Sequence, residues 1–140
     1  MREYPLLREA GLLIVYVRLS GSKGSRLIRL ALDTGATTTM VPPHALLAIG
    51  VNPAKVSSYH ETLTASSREL IPIVVVPGLR IFETTFRRLA LACHELPSES
   101  PVDGLLGLDL LTRLKATLDF RKFCIRLPAK IRTGSLFKRQ

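Results

Sequence analysis

The sequence predicts an all-β, barrel-like domain with one or two short helices. Three observations carry that reading. Short β-branched and aliphatic runs recur along the chain, each bounded by Gly, Pro, Ser or Asn. Only two stretches have helical character, and both are brief. No repeat or linker divides the 140 residues, a length that suits one domain with a sizeable core. A hydrophobic fraction of 46% against 22% charged residues argues for a folded globule.

Leu12 to Leu19 is aliphatic and β-branched, and Ser20-Gly21-Ser22-Lys23-Gly24-Ser25 is a turn cluster. A second strand, Arg26 to Leu32, completes a hairpin. Within it Ile28, Leu30 and Leu32 share one face and Arg29, Ala31 and Asp33 the other, so Asp33 points away from the main apolar face. Thr37 to Val41 is β-forming and ends at Pro42-Pro43. Pro43 to Ile49 reads as a short helical turn closed by Gly50. Glu61 to Val76 reads as a second hairpin with its tip at Ser66-Ser67, and Pro72 marks an edge or bulge in the return strand. Pro77-Gly78 is read as a turn into Leu79 to Phe82, followed by a strand from Phe86 to Cys93. His94 to Pro101 is a loop. Leu108 to Lys115 has the spacing of a short helix, and Thr117 to Phe120 with Phe123 to Leu127 forms a closing hairpin. The strands are expected to be mostly antiparallel, with a domain over 1–127 and a basic tail over 128–140.

The formal net charge of +9 invites an anionic partner. The basic residues are nevertheless spread along the chain, and only the end is distinctive, with seven basic residues and no acid after Asp119. That tail reads as a solvated segment, and nucleic acid is the less favoured partner for it. No apolar run is long enough to span a bilayer, and Met1-Arg2-Glu3-Tyr4-Pro5 does not read as a signal peptide. Cys93 and Cys124 are too few for a disulfide framework and read as reduced thiols of a cytoplasmic protein. His44, His60 and His94 lack metal-ligand spacing, so no metal site is expected.

One stretch stands apart. Leu30-Ala31-Leu32-Asp33-Thr34-Gly35-Ala36-Thr37-Thr38-Thr39-Met40-Val41 sets a carboxylate at the end of an apolar strand, turns at a glycine and leaves through a β-prone run. Far downstream lies Val102-Asp103-Gly104-Leu105-Leu106-Gly107-Leu108-Asp109-Leu110-Leu111, an apolar pair and Gly ahead of a short helix. Together, in this order, the two segments resemble those of retropepsin-like, single-domain aspartic proteases, over roughly Leu12 to Leu127. The resemblance implies a closed barrel acting as a homodimer on polypeptide substrates, with no cofactor. Asp33 would be the catalytic acid. Thr34 would hydrogen-bond across the dimer axis, and Gly35 would donate its N–H to the carboxylates. Ala36 and Thr37 would line the cleft, and Thr64, Ala65, Ser66 and Ser67 would form the flap tip over substrate. Leu105, Leu106 and Gly107 would pack behind the loop.

The chemistry of that family needs two facing carboxylates that share one proton around a water. This chain has a single Asp-Thr-Gly, so two identical chains would each supply one Asp33. Ala36 cannot hydrogen-bond the ionised carboxylate as a hydroxyl residue there would, which implies activity at mildly acidic pH. Asp103, Asp109 and Asp119 are read as structural: Asp103 caps a turn, Asp109 suits the first turn of a helix, and Asp119 falls at a strand end. Two rival functions share the fold class. One is a non-proteolytic dimerisation or peptide-binding module. The other is a basic nucleic-acid-binding barrel, disfavoured by 6% aromatics and no tryptophan.

Overall fold

The computed structural model describes residues 1–63 and 68–129. In chain order the strands and helices are β1 (Arg2–Pro5), β2 (Leu7–Glu9), β3 (Leu12–Gly21), β4 (Gly24–Leu32), β5 (Met40–Val41), α1 (Pro43–Ala48), β6 (Ser58–Leu63), β7 (Arg68–Ile81), β8 (Thr84–Cys93), β9 (Gly104–Leu106), α2 (Leu108–Arg113), β10 (Thr117–Asp119) and β11 (Cys124–Leu127). The domain is all-β with two short helices. Six strands close into a barrel in the order β3, β4, β9, β5, β8, β7 and back to β3. Closure removes the free edges that an open sheet of this size would expose. Leu19, Ile28, Leu30, Val76, Leu79, Ile81, Phe86 and Leu106 fill the interior and are buried to 2% exposure or less.

The β3–β4 hairpin follows the sequence reading, with Gly21 opposite Gly24 at its turn. Helix α1 starts on Pro43, whose missing N–H costs nothing in a first turn, and Gly50 closes it at φ +88°. Two expectations are corrected. Pro77-Gly78 is no turn, because β7 runs through it to Ile81. One edge of β7 pairs with β6 up to Ile73 and with β3 only from Gly78, so the donor-less Pro77 falls in the gap between partners. The ladder to β8 likewise passes from Val76 to Gly78. Second, the Thr37–Val41 run is strand only at Met40–Val41. The strands pair mostly antiparallel, as expected, and β4 with β9 and β5 with β8 pair in parallel. Strands β1 and β2 lie outside every element read from the sequence. Pro72 sits where β7 pairs with β6 alone, one residue past the β8 ladder, in keeping with an edge position.

The junction of β4, β9, β5 and α2 is held by one side-chain clip. Thr39 is fully buried. Its hydroxyl donates to Asp109 Oδ1 at 2.7 Å and accepts from the Gly107 N–H at 3.0 Å. The Thr39 N–H contacts both Asp109 oxygens at 3.0 Å, and Oδ1 also accepts from the Leu110 N–H. Two glycines let the backbones approach. A Cβ on Gly104 would collide with the Met40 carbonyl, and one on Gly107 would lie 2.8 Å from the Ala36 oxygen.

The chain ends meet in a separate sheet in which β11 lies between β1 and β10. Arg126 on β11 reaches Asp119 at 3.0 Å and Glu3 at 3.6 Å, and the Cys124 thiol donates to Glu3 Oε1 at 2.9 Å. The Arg126 hydrogen bond, followed by the Lys122 and Arg121 N–H groups, lowers the Asp119 pKa. The Cys124 hydrogen bond and then Lys122 and Arg126 lower that of Glu3. Cys93 and Cys124 are buried and unbridged. No helix among the described residues is long and apolar enough to cross a membrane.

Replacing Asp109 with Ala strands the buried Thr39 hydroxyl and N–H, and should cost about 3 kcal/mol in urea unfolding. Asp109→Asn keeps one acceptor oxygen and should cost about 1 kcal/mol; equal, negligible losses would disprove the clip. Carboxylates with lowered folded pKa values stabilise above their unfolded values, and that gain vanishes as pH falls through the folded ones. Melting temperature should therefore fall below about pH 4, and more shallowly in Arg126→Gln, as thermal unfolding across pH would show.

Candidate active site

Asp33 stands immediately after β4, where the chain leaves the ladder. Its N–H donates to the Leu106 carbonyl at 2.9 Å, so β9 extends its hold on β4 by one residue. The next residues turn tightly. The Gly35 N–H donates to Asp33 Oδ1 at 2.8 Å, and the Ala36 N–H donates to the Asp33 carbonyl at 3.2 Å. This is the short-range geometry of an Asx turn, in which the carboxylate replaces a backbone acceptor. A Cβ on Gly35 would sit 3.2 Å from Asp33 Oδ1, so glycine leaves that oxygen uncrowded.

The loop is anchored beyond the turn as well. The Leu108 N–H, at the start of α2, donates to the Ala36 carbonyl at 2.8 Å. Together with the Thr39–Asp109 clip, this fixes the loop to β9 and α2 at both ends. Asp33 is part-buried, whereas Thr34 and Gly35 are exposed. The face that Asp33 shares with Ala31 is covered at Ala31, where Ile14 and Val102 bury it, and opens at Asp33.

The structure brings Asp33, Thr34, Gly35, Ala36 and Thr37 together in one loop, with Leu105, Leu106 and Gly107 directly behind it. Leu106 is fully buried, Leu105 pairs with both Ala31 and Met40, and Gly107 is the residue before α2. Thr64, Ala65, Ser66 and Ser67 lie outside the described residues. The other aspartates are committed elsewhere. Asp103 Oδ2 accepts from the Arg29 N–H at 2.9 Å, Asp109 holds Thr39, and Asp119 is bound by Arg126.

Two participants are not read from the sequence as site residues. Asp109 is read as structural from its place in a helix, but its partner Thr39 is 70 positions away. His60 is set aside for lack of a metal partner, and the hairpin is begun at Glu61. The strand in fact starts at Ser58, which brings His60 into the ladder opposite Ile71, with Nε2 3.1 Å from the Thr37 hydroxyl. Period-two alternation carried three residues further back would have shown this face.

The comparisons with known proteins agree with this architecture. A family model described as "Aspartyl protease" matches residues 15–110. No curated protein matches the chain. Among solved structures, a retropepsin-like aspartic protease from Rickettsia conorii aligns with TM-score 0.64 and 18% identity, over 89% of this chain and 88% of that one. The retroviral protease-like domain of Ddi1 from Leishmania major aligns with TM-score 0.55 and 16% identity, over 84% and 90%. At these identities the two likenesses establish a shared retropepsin-like fold, and the family match covers the Asp33 loop, β9 and the start of α2. The chain belongs to the aspartyl protease family.

Proposed function

We propose that the protein is an aspartic endopeptidase whose site is completed by a second copy of the chain. The observation that carries this reading is the Asp33 turn. A carboxylate stands at the end of a barrel strand, where the Asp33 N–H donates to the Leu106 carbonyl and Asp33 Oδ1 accepts from the Gly35 N–H. The other aspartates each hold backbone or an arginine elsewhere, so a facing aspartate has to come from another chain. Thr34 and Gly35, exposed beside Asp33, are available to such a partner.

In the assembled dimer the two Asp33 carboxyls share one proton, because like charges in contact cannot both ionise. The ionised member takes a proton from the water as it attacks the peptide carbonyl. The protonated member polarises that carbonyl, and the proton is returned to the departing amine. Gly35 N–H groups stabilise the carboxylate charge through the transition state. Thr34 links the two loops across the two-fold axis, Ala36 and Thr37 line the cleft, and the hairpin carried by β6 and β7 lies over substrate. Leu105, Leu106 and Gly107 support the loop from behind.

Cleavage of an unstructured peptide mixture between pH 4 and 7 tests the reading. Wild type should cut, with an optimum at mildly acidic pH, since Ala36 offers the ionised carboxylate no hydroxyl to hydrogen-bond it. Asp33→Asn should lose all cuts. A dimer that cuts nothing would favour a peptide-binding module, and an optimum well below about pH 4 would contradict the role given to Ala36. Two protomers of net charge +9 repel, so the dimer should weaken at low ionic strength. Sedimentation at two salt concentrations reads this directly, and tighter association in low salt would refute it.

A further inference from the structure

We infer that His60 is a positioning residue that fastens the β6–β7 hairpin to the Asp33 loop through Thr37. The inference rests on the protease reading above and deepens it. Four observations converge on it.

The first is the contact itself, His60 Nε2 to Thr37 Oγ1 at 3.1 Å, joining residues 23 positions apart. Thr37 lies two residues beyond Gly35, so the bond ends on the catalytic loop rather than on the barrel wall. The second is the face. His60 pairs with Ile71, which is buried with Ile73, Ala92 and Met40. This inner face of the hairpin packs toward β5, the strand that continues the Asp33 loop. The third is the outer face, where Tyr59 and Leu70 are 61% and 64% exposed. The hairpin therefore turns its imidazole inward and leaves large apolar groups in solvent.

The fourth is the balance of anchors. The loop N-terminal to Thr37 is tied to Leu106 and Leu108, and Thr39 is clipped to Asp109. Thr37 is exposed, and its hydroxyl meets the His60 imidazole. The loop is thus held against the barrel, and the imidazole is a polar link between the hairpin and the loop among the described residues. Either ring tautomer can serve, because a threonine hydroxyl both donates and accepts. A hairpin held in this register needs less ordering when substrate binds beside the Asp33 loop, which raises apparent substrate affinity.

The test is a double-mutant cycle on His60→Leu and Thr37→Val, read in peptide cleavage and in the NMR signal of the His60 ring nitrogens. Each single variant should raise KM about fivefold with a smaller change in kcat, the loss expected for one hydrogen bond. The double variant should be no worse than either single, because both remove one interaction. Thr37→Ser, which keeps the hydroxyl, should recover most of the KM lost in Thr37→Val. The His60 Nε2 resonance should shift in Thr37→Val and not in Thr37→Ser, and unfolding midpoints exclude variants that merely destabilise the fold. Additive effects, an unchanged or lowered KM, or an Nε2 resonance indifferent to Thr37→Val would each overturn the inference while leaving Asp33-dependent cleavage standing. A wild type that cuts nothing would remove the protease reading, and the positioning role with it, even if the resonance shift were seen.

Discussion

The arrangement around Asp33 depends on a single buried constraint: an ionisable side chain from a helix satisfies the backbone and hydroxyl of a threonine that has no water to turn to. Thr39 is fully buried, and its N–H and hydroxyl both end on Asp109. A buried N–H left without an acceptor is costly, and hydrogen bonds to a charged group are among the stronger ones in proteins. The clip joins the outgoing limb of the Asp33 loop to α2. The incoming limb is joined to β9 by the Asp33 N–H on the Leu106 carbonyl. With both limbs secured, the carboxylate's position follows from the barrel rather than from the loop's own preferences.

Such close approach is available only because glycine occupies the crossing points. Gly104 faces the Met40 carbonyl, and Gly107 lies under the carbonyls of Ala36 and Thr38. Any Cβ there would push β9 away from β5 or lift α2 off the loop. The parallel pairing of β4 with β9 has the same consequence in another form. It places Leu105 and Leu106 alongside Ala31 and Leu32, so the segment that supports the loop also closes the barrel. Stability and site geometry therefore rest on the same atoms, and a rigid element carries the Asp33 carboxylate.

The remainder of the molecule is more loosely coupled to the site. The terminal sheet draws β1 from one end of the chain and β10 with β11 from the other, joined by Arg126 to Asp119 and Glu3. These contacts are partly solvated and contribute modestly. They lock the ends together without touching Asp33. The β6–β7 hairpin is different again. It leaves the barrel where β7 exchanges β6 for β3, and Pro77 marks the exchange because a residue without an N–H loses nothing between partners.

Local pattern carried much of this fold. Aliphatic alternation with turn clusters marked the β3–β4 hairpin, the closing β10–β11 hairpin and both helices within a few residues, since those features arise from side-chain period and backbone propensity nearby in sequence. The Asp-Thr-Gly turn and the Leu-Leu-Gly segment marked the family and the candidate acid. Where they met was invisible, because hydrogen bonds such as Thr39 to Asp109 span 70 positions and leave no local trace. Pro77-Gly78 misled for the same reason: its meaning lies in which strands flank it, and strand partners are chosen only when the barrel closes. His60 escaped notice because a histidine's role depends on what faces it. By itself the sequence determined most of the strands and the turn that carries Asp33. The tertiary structure alone decided the parallel pairings, the buried clip and the hairpin's register on the loop, since each is a contact between residues that only closure of the barrel brings together.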